Sequence, residues 1–512
     1  MTENTLTQAA RLLQSGDAAG ALSMARTLFV QPNEADARTI AGIAAQQLGQ
    51  DSEAIAHLES ARQADAENPV RHANLAVALK RAGNFDGALA AFERALALRP
   101  DHPATLANFG GCLISADRAH AALDPLRRAL ALQPGLRDAQ LNLAIALART
   151  GGTAEAIGLY KAMVAARADD HEARINLVDA LAGAGDPDAA LEELGMVPSA
   201  HPAFLRAANQ KALIHERAGR FDLAIATLGP LWDAGNTHHA LAVNLARLLI
   251  RAGREEEALF IAARASELSP DNTSPLALRY AALSRLDRQD ELAALAALDD
   301  FVTVRDFDRV PGFASVEAFD AALIEELAAH PSLVFEPAGL VTTQGRQSDD
   351  LADAASPAMA ALAKLARKQI AKEHRRLDDL KMTHPFLAAR PQDWTLTMWG
   401  TILNPGGEVG AHVHAPNWLS GVYYPAFRSE DCKGEGGFAI GPLSEELGGG
   451  GHLTIYAPRA GRMILFPSFL WHSTLPFGGD HARVSFAFDC VPKGTGRPHR
   501  LAKAAGRVGN ED

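Results

Sequence analysis

Through its first three hundred positions the chain repeats itself with a period of 34 residues. One register holds a turn residue, glycine in six copies and aspartate in two: Gly49, Gly83, Asp117, Gly151, Gly185, Gly219, Gly253 and Asp287. Five positions later comes an alanine: Ala54, Ala88, Ala122, Ala156, Ala190, Ala224 and Ala258. Four positions after that comes a large residue: Leu58, Phe92, Leu126, Tyr160, Leu194 and Leu228. The pattern predicts pairs of helices that meet at each turn, with alanine where the helices approach closely.

The clearest copy, HANLAVALKRAGNFDGALAAFERALALRP, covers residues 72–100 and ends at Pro100. Its offsets resemble the tetratricopeptide repeat, a helix-turn-helix unit of 34 residues. A partial copy around Gly16 and Ala21 is one residue off register, as expected of a capping repeat. We therefore predict an all-α tetratricopeptide-repeat superhelix over residues 1–298.

A second register holds amide side chains, five asparagines and one glutamine: Asn74, Asn108, Asn142, Asn176, Gln210 and Asn244. Each falls in the first helix of its copy, which lines the inner groove in superhelices of this kind. An amide offers both a donor and an acceptor, so it can pair with one peptide unit of an extended chain. The series resembles the asparagine ladder of the O-linked N-acetylglucosamine transferase superhelix, which implies a protein or peptide partner. The alternative is that each amide bonds the backbone of a neighbouring repeat.

Composition excludes several classes of protein. The net charge is −12, and neither the part before residue 298 nor the part after it is basic, which argues against nucleic-acid or anionic-membrane binding. The start lacks the pattern of a secretory signal, and no stretch of about 18 apolar residues occurs. Cys112, Cys432 and Cys490 are far apart, which disfavours a disulfide framework or a cysteine-built zinc site. These observations favour a cytoplasmic protein.

The chain changes character near residue 298, since ten of its 30 aromatic residues precede that point and twenty follow it. Two helical stretches, 315–330 and 356–377, come before short β-rich runs at 394–399, 420–425, 436–441, 452–457, 462–467 and 483–489. This spacing predicts a sandwich or barrel over residues 299–492. Trp399, Trp418 and Trp471 are expected in its core. The polar, glycine-rich segment 493–512 is predicted to be a disordered tail.

Histidines stand at the ends of these predicted strands. His412 and His414 form an H-x-H pair whose rings point the same way on extended backbone, so both could reach one metal ion. His472 follows a buried-looking strand and an aromatic turn. Arg483 and Ser485 share one face of the last strand, and a cation beside a hydroxyl suits a carboxylate ligand.

The order H-x-H, SGVYY, GGF, G-x-x-x-L-F-P-S, distal histidine and R-x-S resembles the prolyl-hydroxylase-like 2-oxoglutarate/Fe(II)-dependent oxygenases, especially the bacterial and phage H-x-H group, over residues 330–492. The resemblance implies a double-stranded β-helix (jelly roll) that binds Fe(II) and the co-substrate 2-oxoglutarate. It assigns His412, His414 and His472 to the metal, and Arg483, Ser485 and Tyr424 to the distal carboxylate of 2-oxoglutarate. Beyond this metal centre it implies no catalytic residue.

One position departs from the general superfamily, which has an aspartate or glutamate where this chain has His414. Glu408 is a possible substitute carboxylate, although a surface position is the simpler interpretation. The predicted function is a dioxygenase that hydroxylates a protein or peptide held by the repeats, and a barrel starting near residue 299 is expected to be active without them. The alternatives are a non-catalytic adaptor with a degenerate barrel, or a three-histidine metal enzyme that does not use 2-oxoglutarate.

Overall fold

The structure is a computed structural model that describes residues 2–29, 33–427, 435–479 and 481–501. Its described residues form two compact units, one reaching Ala207 and the other beginning at Ala208. Helices nevertheless continue to Phe301, and the first strand begins at Thr303. The predicted boundary at 298 thus falls close to the point where helices give way to strands, whereas the compact units divide earlier in the chain.

The first unit consists of consecutive helices joined by short turns. Their bounds are α1 (Thr2–Gln14), α2 (Ala18–Arg26), α3 (Glu34–Gln47), α4 (Asp51–Ala64), α5 (Pro69–Arg81), α6 (Phe85–Leu98), α7 (Pro103–Ser115), α8 (Ala119–Leu132), α9 (Arg137–Arg149), α10 (Thr153–Ala166), α11 (His171–Gly183) and α12 (Pro187–Gly195). Helix α13 (Phe204–Arg217) crosses the division between the units. The clearest sequence copy corresponds to α5 and α6, which confirms the predicted helix pair.

The periodic turn residues adopt left-handed backbone conformations. Gly83 has a φ of +81°, and Asp117, which fills a gap in the glycine series, has a φ of +60°. Glycine adopts this conformation without a steric penalty, and aspartate tolerates it better than most residues. The register alanines are fully buried, for example Ala88 and Ala122 at 0% exposure. The period therefore marks both the turns and the contacts between helices.

The second unit begins with further helices of the same kind. They are the rest of α13, α14 (Phe221–Asp233), α15 (His239–Arg251), α16 (Glu255–Leu268), α17 (Ser274–Arg285), α18 (Gln289–Ala296) and α19 (Leu298–Phe301). Residue Asp287, the second aspartate of the turn series, has a φ of +55°. The last repeats therefore lie in the same compact unit as the sheet.

A β-rich region follows. Its elements are β1 (Thr303–Asp306), α20 (Val316–Ala328), β2 (Val334–Phe335), β3 (Thr342–Gln347), α21 (Pro357–Asp378), α22 (Pro385–Ala388), β4 (Trp394–His412), β5 (Leu419–Ala426), β6 (Phe438–Ile440), β7 (Thr454–Tyr456), β8 (Arg462–Pro467), β9 (His472–Thr474) and β10 (Arg483–Pro492). Each β-rich run predicted from the sequence overlaps one of these strands, although β4 continues well beyond the predicted 394–399, and both predicted helices are present as α20 and α21. Strands β1, β2, β3 and β9 were not predicted.

All strand pairs are antiparallel, in the order β1-β8-β5-β10-β4-β9-β6-β7, with β3 beside β4. Strand β4 is long enough to pair with β10 at its start and with β9 at its end, where His412 lies opposite His472. Helix α20 packs against β5 and α21 packs against β4. This arrangement confirms the predicted combination of a repeat superhelix and an antiparallel double-stranded β-helix domain.

One hydrophobic cluster joins the last repeats to the sheet. It includes Leu245 and Tyr280 from the helices, and Trp418, Trp471 and Phe486 from the β-rich region. Two hydrogen bonds accompany it, from the Trp471 indole to the Ala277 carbonyl (3.0 Å) and from Thr273 Oγ1 to the Asn417 carbonyl (2.7 Å). The helices after Ala208 therefore form part of the core of the β-rich region.

The segment after β10 differs from the disorder predicted for it. The backbone of Arg497 makes two hydrogen bonds with the Asn417 side chain, at 2.8 and 2.9 Å. The His499 ring stacks on Trp399 with ring centroids 4.3 Å apart, and its backbone N–H donates to Thr397 Oγ1. Residues 493–501 thus lie against the sheet, whereas 502–512 lie outside the described residues.

Two of the three cysteines, Cys112 and Cys490, are buried and free, and Cys432 lies outside the described residues. In the part of the chain that the structure describes, no helix has the length and apolar character needed to cross a bilayer.

Candidate functional site

Three histidines converge at one end of the sheet. His412 is the last residue of β4, His472 is the first residue of β9 directly opposite, and His414 lies two residues beyond β4. Their candidate ligand atoms all lie within 4.8 Å of one another. The Nε2 atoms of His412 and His414 are 3.0 Å apart. The structure therefore brings together the three residues that the sequence assigns to a metal.

The other ring nitrogen of each histidine has an acceptor. His412 Nδ1 lies 2.8 Å from the Gly410 carbonyl oxygen, and His472 Nδ1 lies 2.9 Å from the Leu470 carbonyl oxygen. A carbonyl can only accept, so Nδ1 must carry the hydrogen in both rings. The Nε2 lone pairs are consequently left for a metal, which is the usual arrangement of ligating histidines.

Burial keeps these imidazoles neutral. Desolvation, together with the neighbouring His414, lowers the pKa of His412 to about 3. Desolvation and the two neighbouring rings lower the pKa of His472 well below its ordinary value. Neutral imidazole is the form that binds metal, so His412 and His472 need no deprotonation at neutral pH.

His414 differs from the other two because its Nδ1 faces a carboxylate. Asp489 Oδ1 lies 2.8 Å from His414 Nδ1, and Ser420 Oγ is 3.1 Å from the same nitrogen. Sequence reasoning did not single out Asp489. A signal was present, because Asp489 is six residues after Arg483 and therefore on the same face of the predicted strand.

Glu408, the possible substitute carboxylate, is not part of this cluster. It lies within β4 opposite Thr343 and is partly exposed. Among the described residues, the group of side chains that could hold a metal consists of the three histidines alone. The surface interpretation of Glu408 therefore fits the structure better.

Arg483 and Tyr424 form a separate buried pair. Arg483 Nη2 donates to Tyr424 Oη at 3.0 Å, and the guanidinium lies 5.1 Å from the centre of the Tyr424 ring. Arg483 is 1% exposed, and its Nε and Nη1 have no hydrogen-bond partner among the described residues. Ser485 lies two residues along β10 and is partly buried. A buried guanidinium with free donors is suited to an anionic ligand.

A cavity of about 300 Å³ opens beside the histidines. Its lining includes His412, His414, Trp399, Leu340 and Val341. Arg483 and Tyr424 do not belong to this lining. Two of the three predicted metal residues thus line this cavity, whereas the buried pair of Arg483 and Tyr424 does not.

A second cavity, of about 420 Å³, lies between the last repeats and the loop that carries His414. Asn244 and Arg247 of α15 line one side, and Trp471 lines the other. It shares three lining residues with the histidine cavity: Val413, Ala415 and Arg497. Asn244, at the end of the amide series, therefore lines a cavity that adjoins the histidine cavity.

The six amides of the predicted ladder have different surroundings. Asn142 Nδ2 reaches the Ala107 carbonyl of the preceding copy at 3.4 Å, and Asn244 Nδ2 donates to Asn209 Oδ1 at 2.9 Å. The Asn142 contact matches the alternative in which an amide bonds the backbone of a neighbouring repeat, whereas Asn244 bonds a side chain of the preceding copy. Asn176 instead donates to the Glu172 carbonyl of its own helix at 2.9 Å.

The remaining ladder positions are Asn74, Asn108 and Gln210. Asn108 is exposed, and Asn74 and Gln210 are partly buried. Within the described ranges, Asn74 and Asn108 make no side-chain hydrogen bond with the protein. Their amides are free to bind a partner, so the series combines structural positions with open ones.

Family models match both parts of the chain. A model described as "Putative 2OG-Fe(II) oxygenase" matches residues 397–489, which include all three histidines and Arg483. Tetratricopeptide-repeat models match residues 69–135, 120–171 and 151–214. The chain thus combines tetratricopeptide repeats with a C-terminal domain of this oxygenase family.

Several solved repeat structures are similar to part of the chain. A tetratricopeptide repeat protein from Parabacteroides merdae is 16% identical with a TM-score of 0.39, covering 48% of this chain and 97% of its own. YrrB, described as a repeat protein with an unusual peptide-binding site, is 19% identical with a TM-score of 0.31, covering 36% and 96%. The pilus biogenesis factor PilW is 21% identical with a TM-score of 0.36, covering 39% and 93%. A search of the curated proteins gives no match.

Proposed function

We propose that this chain, which joins tetratricopeptide repeats to an oxygenase-type domain, is a 2-oxoglutarate- and Fe(II)-dependent dioxygenase that hydroxylates a protein or peptide held by its repeats. The observation that supports this proposal most is the convergence of three imidazoles, two of which bond a backbone carbonyl through Nδ1 and so keep the Nε2 lone pair for a metal. Such a donor set favours a divalent transition metal over Mg²⁺ or Ca²⁺, which prefer oxygen ligands.

The residues also fit 2-oxoglutarate. Arg483 has two buried donor atoms without a partner, and its third donor group is already fixed by Tyr424. A carboxylate would satisfy the free donors, and a hydrogen bond to a charged group contributes about 1.5–3 kcal/mol. Ser485 lies on the same strand and could add a hydroxyl donor.

Each group has a separate task in this proposal. His412, His414 and His472 would hold Fe(II), while Arg483, Tyr424 and Ser485 would hold the distal carboxylate of 2-oxoglutarate. When bound, Fe(II) and 2-oxoglutarate would supply the activation of oxygen needed for hydroxylation. Trp399, Leu340 and Val341 contribute apolar side chains to the lining of the histidine cavity.

The repeats support a protein or peptide substrate. Asn74 and Asn108 present amides without hydrogen bonds to the rest of the described chain, so they could pair with the backbone of an extended segment. At the other end of the series, Asn244 lines a cavity that adjoins the histidine cavity. A segment bound there would have a side chain close to the metal residues.

The proposal can be tested by measuring iron binding and the 2-oxoglutarate-dependent formation of succinate with the full chain. His472→Ala should abolish tight Fe(II) binding, while the exposed His452→Ala serves as the matched control. Arg483→Leu should leave iron bound but raise the 2-oxoglutarate requirement about ten-fold or more, because one charge-assisted contact is lost. The exposed Arg500→Leu is the control for that variant.

The outcomes separate the alternatives. Absence of metal binding in the wild-type chain would favour the adaptor. Metal binding without succinate formation would favour a three-histidine enzyme that does not use 2-oxoglutarate. Incubating a peptide library with enzyme, Fe(II) and 2-oxoglutarate, followed by mass spectrometry, would then identify the hydroxylated residue.

A further inference from the structure

Asp489 is a buried carboxylate at the edge of the histidine cluster. It is 3% exposed, and donors occupy both of its oxygens. Oδ1 accepts from Ser420 Oγ at 2.7 Å and lies 2.8 Å from His414 Nδ1, and Oδ2 accepts from Asn417 Nδ2 at 2.8 Å. His414 is its only ion-pair partner among the described residues.

A buried carboxylate without a cationic partner is costly. The His414 ring links Asp489 to the cluster, because His414 Nε2 lies 3.0 Å from His412 Nε2. A metal ion held by the three histidines would place a divalent charge one imidazole away from Asp489. The carboxylate would therefore complement the positive charge of a metal ion held by the cluster.

We infer that Asp489 is a positioning residue of the proposed metal centre, one that supplies through His414 the negative charge that a ligating carboxylate would otherwise provide. This inference rests on the proposed function. The hydrogen bond from His414 Nδ1 to Asp489 fixes the His414 tautomer with Nε2 unprotonated, and it makes the imidazole a stronger electron donor to a metal ion. The general superfamily has an aspartate or glutamate where this chain has His414, and the Asp489 carboxylate, 75 residues later in the chain, thus compensates for that difference.

Asn417 holds Asp489 in place from the opposite side. Its side chain bonds both Asp489 and the backbone of Arg497, and its carbonyl accepts from Thr273 of the segment leading into α17. Thr273 and Asn417 are almost fully buried, at 0% and 2% exposure. The carboxylate is therefore anchored by the last repeats and by residues after β10, which gives it the fixed geometry that a positioning role requires.

Cobalt titration of the full-length apoprotein tests the inference without requiring turnover. Asp489→Asn keeps the size of the side chain but removes its charge, and it should weaken Co²⁺ binding about 10- to 100-fold and shift the visible Co²⁺ spectrum. Asp320→Asn is the matched control, since Asp320 is also a buried carboxylate of this region but bonds Tyr423 Oη (2.6 Å). That control should bind Co²⁺ within about three-fold of wild type, because its carboxylate has no contact with the histidines.

A double-mutant cycle separates this role from a merely structural one. In a His414→Asp background the side chain at position 414 is itself anionic and has no N–H group to donate to Asp489. The two carboxylates should therefore repel each other. Adding Asp489→Asn should then leave Co²⁺ affinity unchanged or raise it, reversing the effect seen in wild type. A structural role would lower affinity by the same factor in both backgrounds and would overturn the inference.

Two results in the single variants would also overturn it. One is Co²⁺ affinity in Asp489→Asn equal to wild type, and the other is an equal loss in Asp489→Asn and Asp320→Asn. A wild-type chain that binds no Co²⁺ would instead overturn the proposed function itself. The two failures are therefore distinguishable.

Discussion

The repeats and the β-rich region differ in how far apart along the chain their contacting residues lie. Between repeats, Arg137 bonds Asp170 at a separation of 33 residues, and Asn142 reaches Ala107 at a separation of 35. In the β-rich region the separations are 75 residues for His414 and Asp489 and 194 for Trp471 and Ala277. A repeat contacts its neighbouring copy, so its contacts follow the period, whereas the contacts of the sheet follow no period.

The helices after Ala208 provide the strongest test of this comparison, because they are repeats in sequence but belong to the hydrophobic core that they share with the sheet. A chain that begins at residue 299 should fail to fold, since it lacks the helices that cover Trp418 and Trp471. A chain that begins at residue 198, ahead of α13, should unfold cooperatively and bind Co²⁺. Circular dichroism melting and cobalt titration would compare the two.

This expectation replaces the earlier one that a barrel starting near residue 299 would be active without the repeats. A cooperative, metal-binding fragment from residue 299 would contradict it. Such a result would make the late repeats a separable module like the earlier ones.

Substitutions at the alanine register sharpen the comparison. Ala88→Leu, Ala122→Leu and Ala156→Leu each place extra carbons in a fully buried contact between helices. Because the three sites are equivalent copies, each change should destabilise the array by a similar amount, about 1–3 kcal/mol. Urea unfolding would measure the cost, and Co²⁺ affinity should stay at the wild-type value. Widely different costs among the three would show that the copies are not equivalent.

The smallest expected effect distinguishes open from structural positions in the amide series. Asn244→Ala removes a 2.9 Å bond to Asn209 and should cost about 0.5–1.5 kcal/mol, whereas the exposed Asn108→Ala should leave stability unchanged. Thermal unfolding of both variants is the measurement. Equal destabilisation by the two changes would mean that Asn108 is also structural, and the argument for a bound peptide backbone would weaken.

Local backbone requirements made the repeats predictable from the sequence. The turn at Asp117 is an example, because a positive φ is a property of a single residue and its position in the period is visible without any tertiary contact. The start of β4, the strand that ends at His412, was also visible, since an alternating apolar pattern needs only a few residues, whereas β9, which begins at His472, was not predicted. His412 and His414 could be assigned together because their spacing is itself local.

The parts that could not be predicted depend on distant partners. Asp489 looks like an ordinary strand residue until the fold brings it to His414, and Thr273 looks like a helix cap until its hydroxyl bonds Asn417. The segment 493–501 has the composition of a disordered tail, yet Trp399 provides a surface on which His499 stacks. The composition of a segment shows how much apolar surface it can bury by itself, but not which contacts a distant segment will make with it.

The last repeats are hydrogen-bonded to Asn417 and Trp471. The number of copies can therefore change more easily at the N-terminal end of the array than at its C-terminal end. The copies before Ala207 belong to a compact unit of their own, so duplication or loss there, in a natural lineage or an engineered library, would change the number of copies in that unit. The copy that contributes Thr273 and Ala277 is different, because replacing it would require new supports for the loops that hold His414 and His472. Arrays with more or fewer copies should therefore be made by adding or removing copies at the N-terminal end.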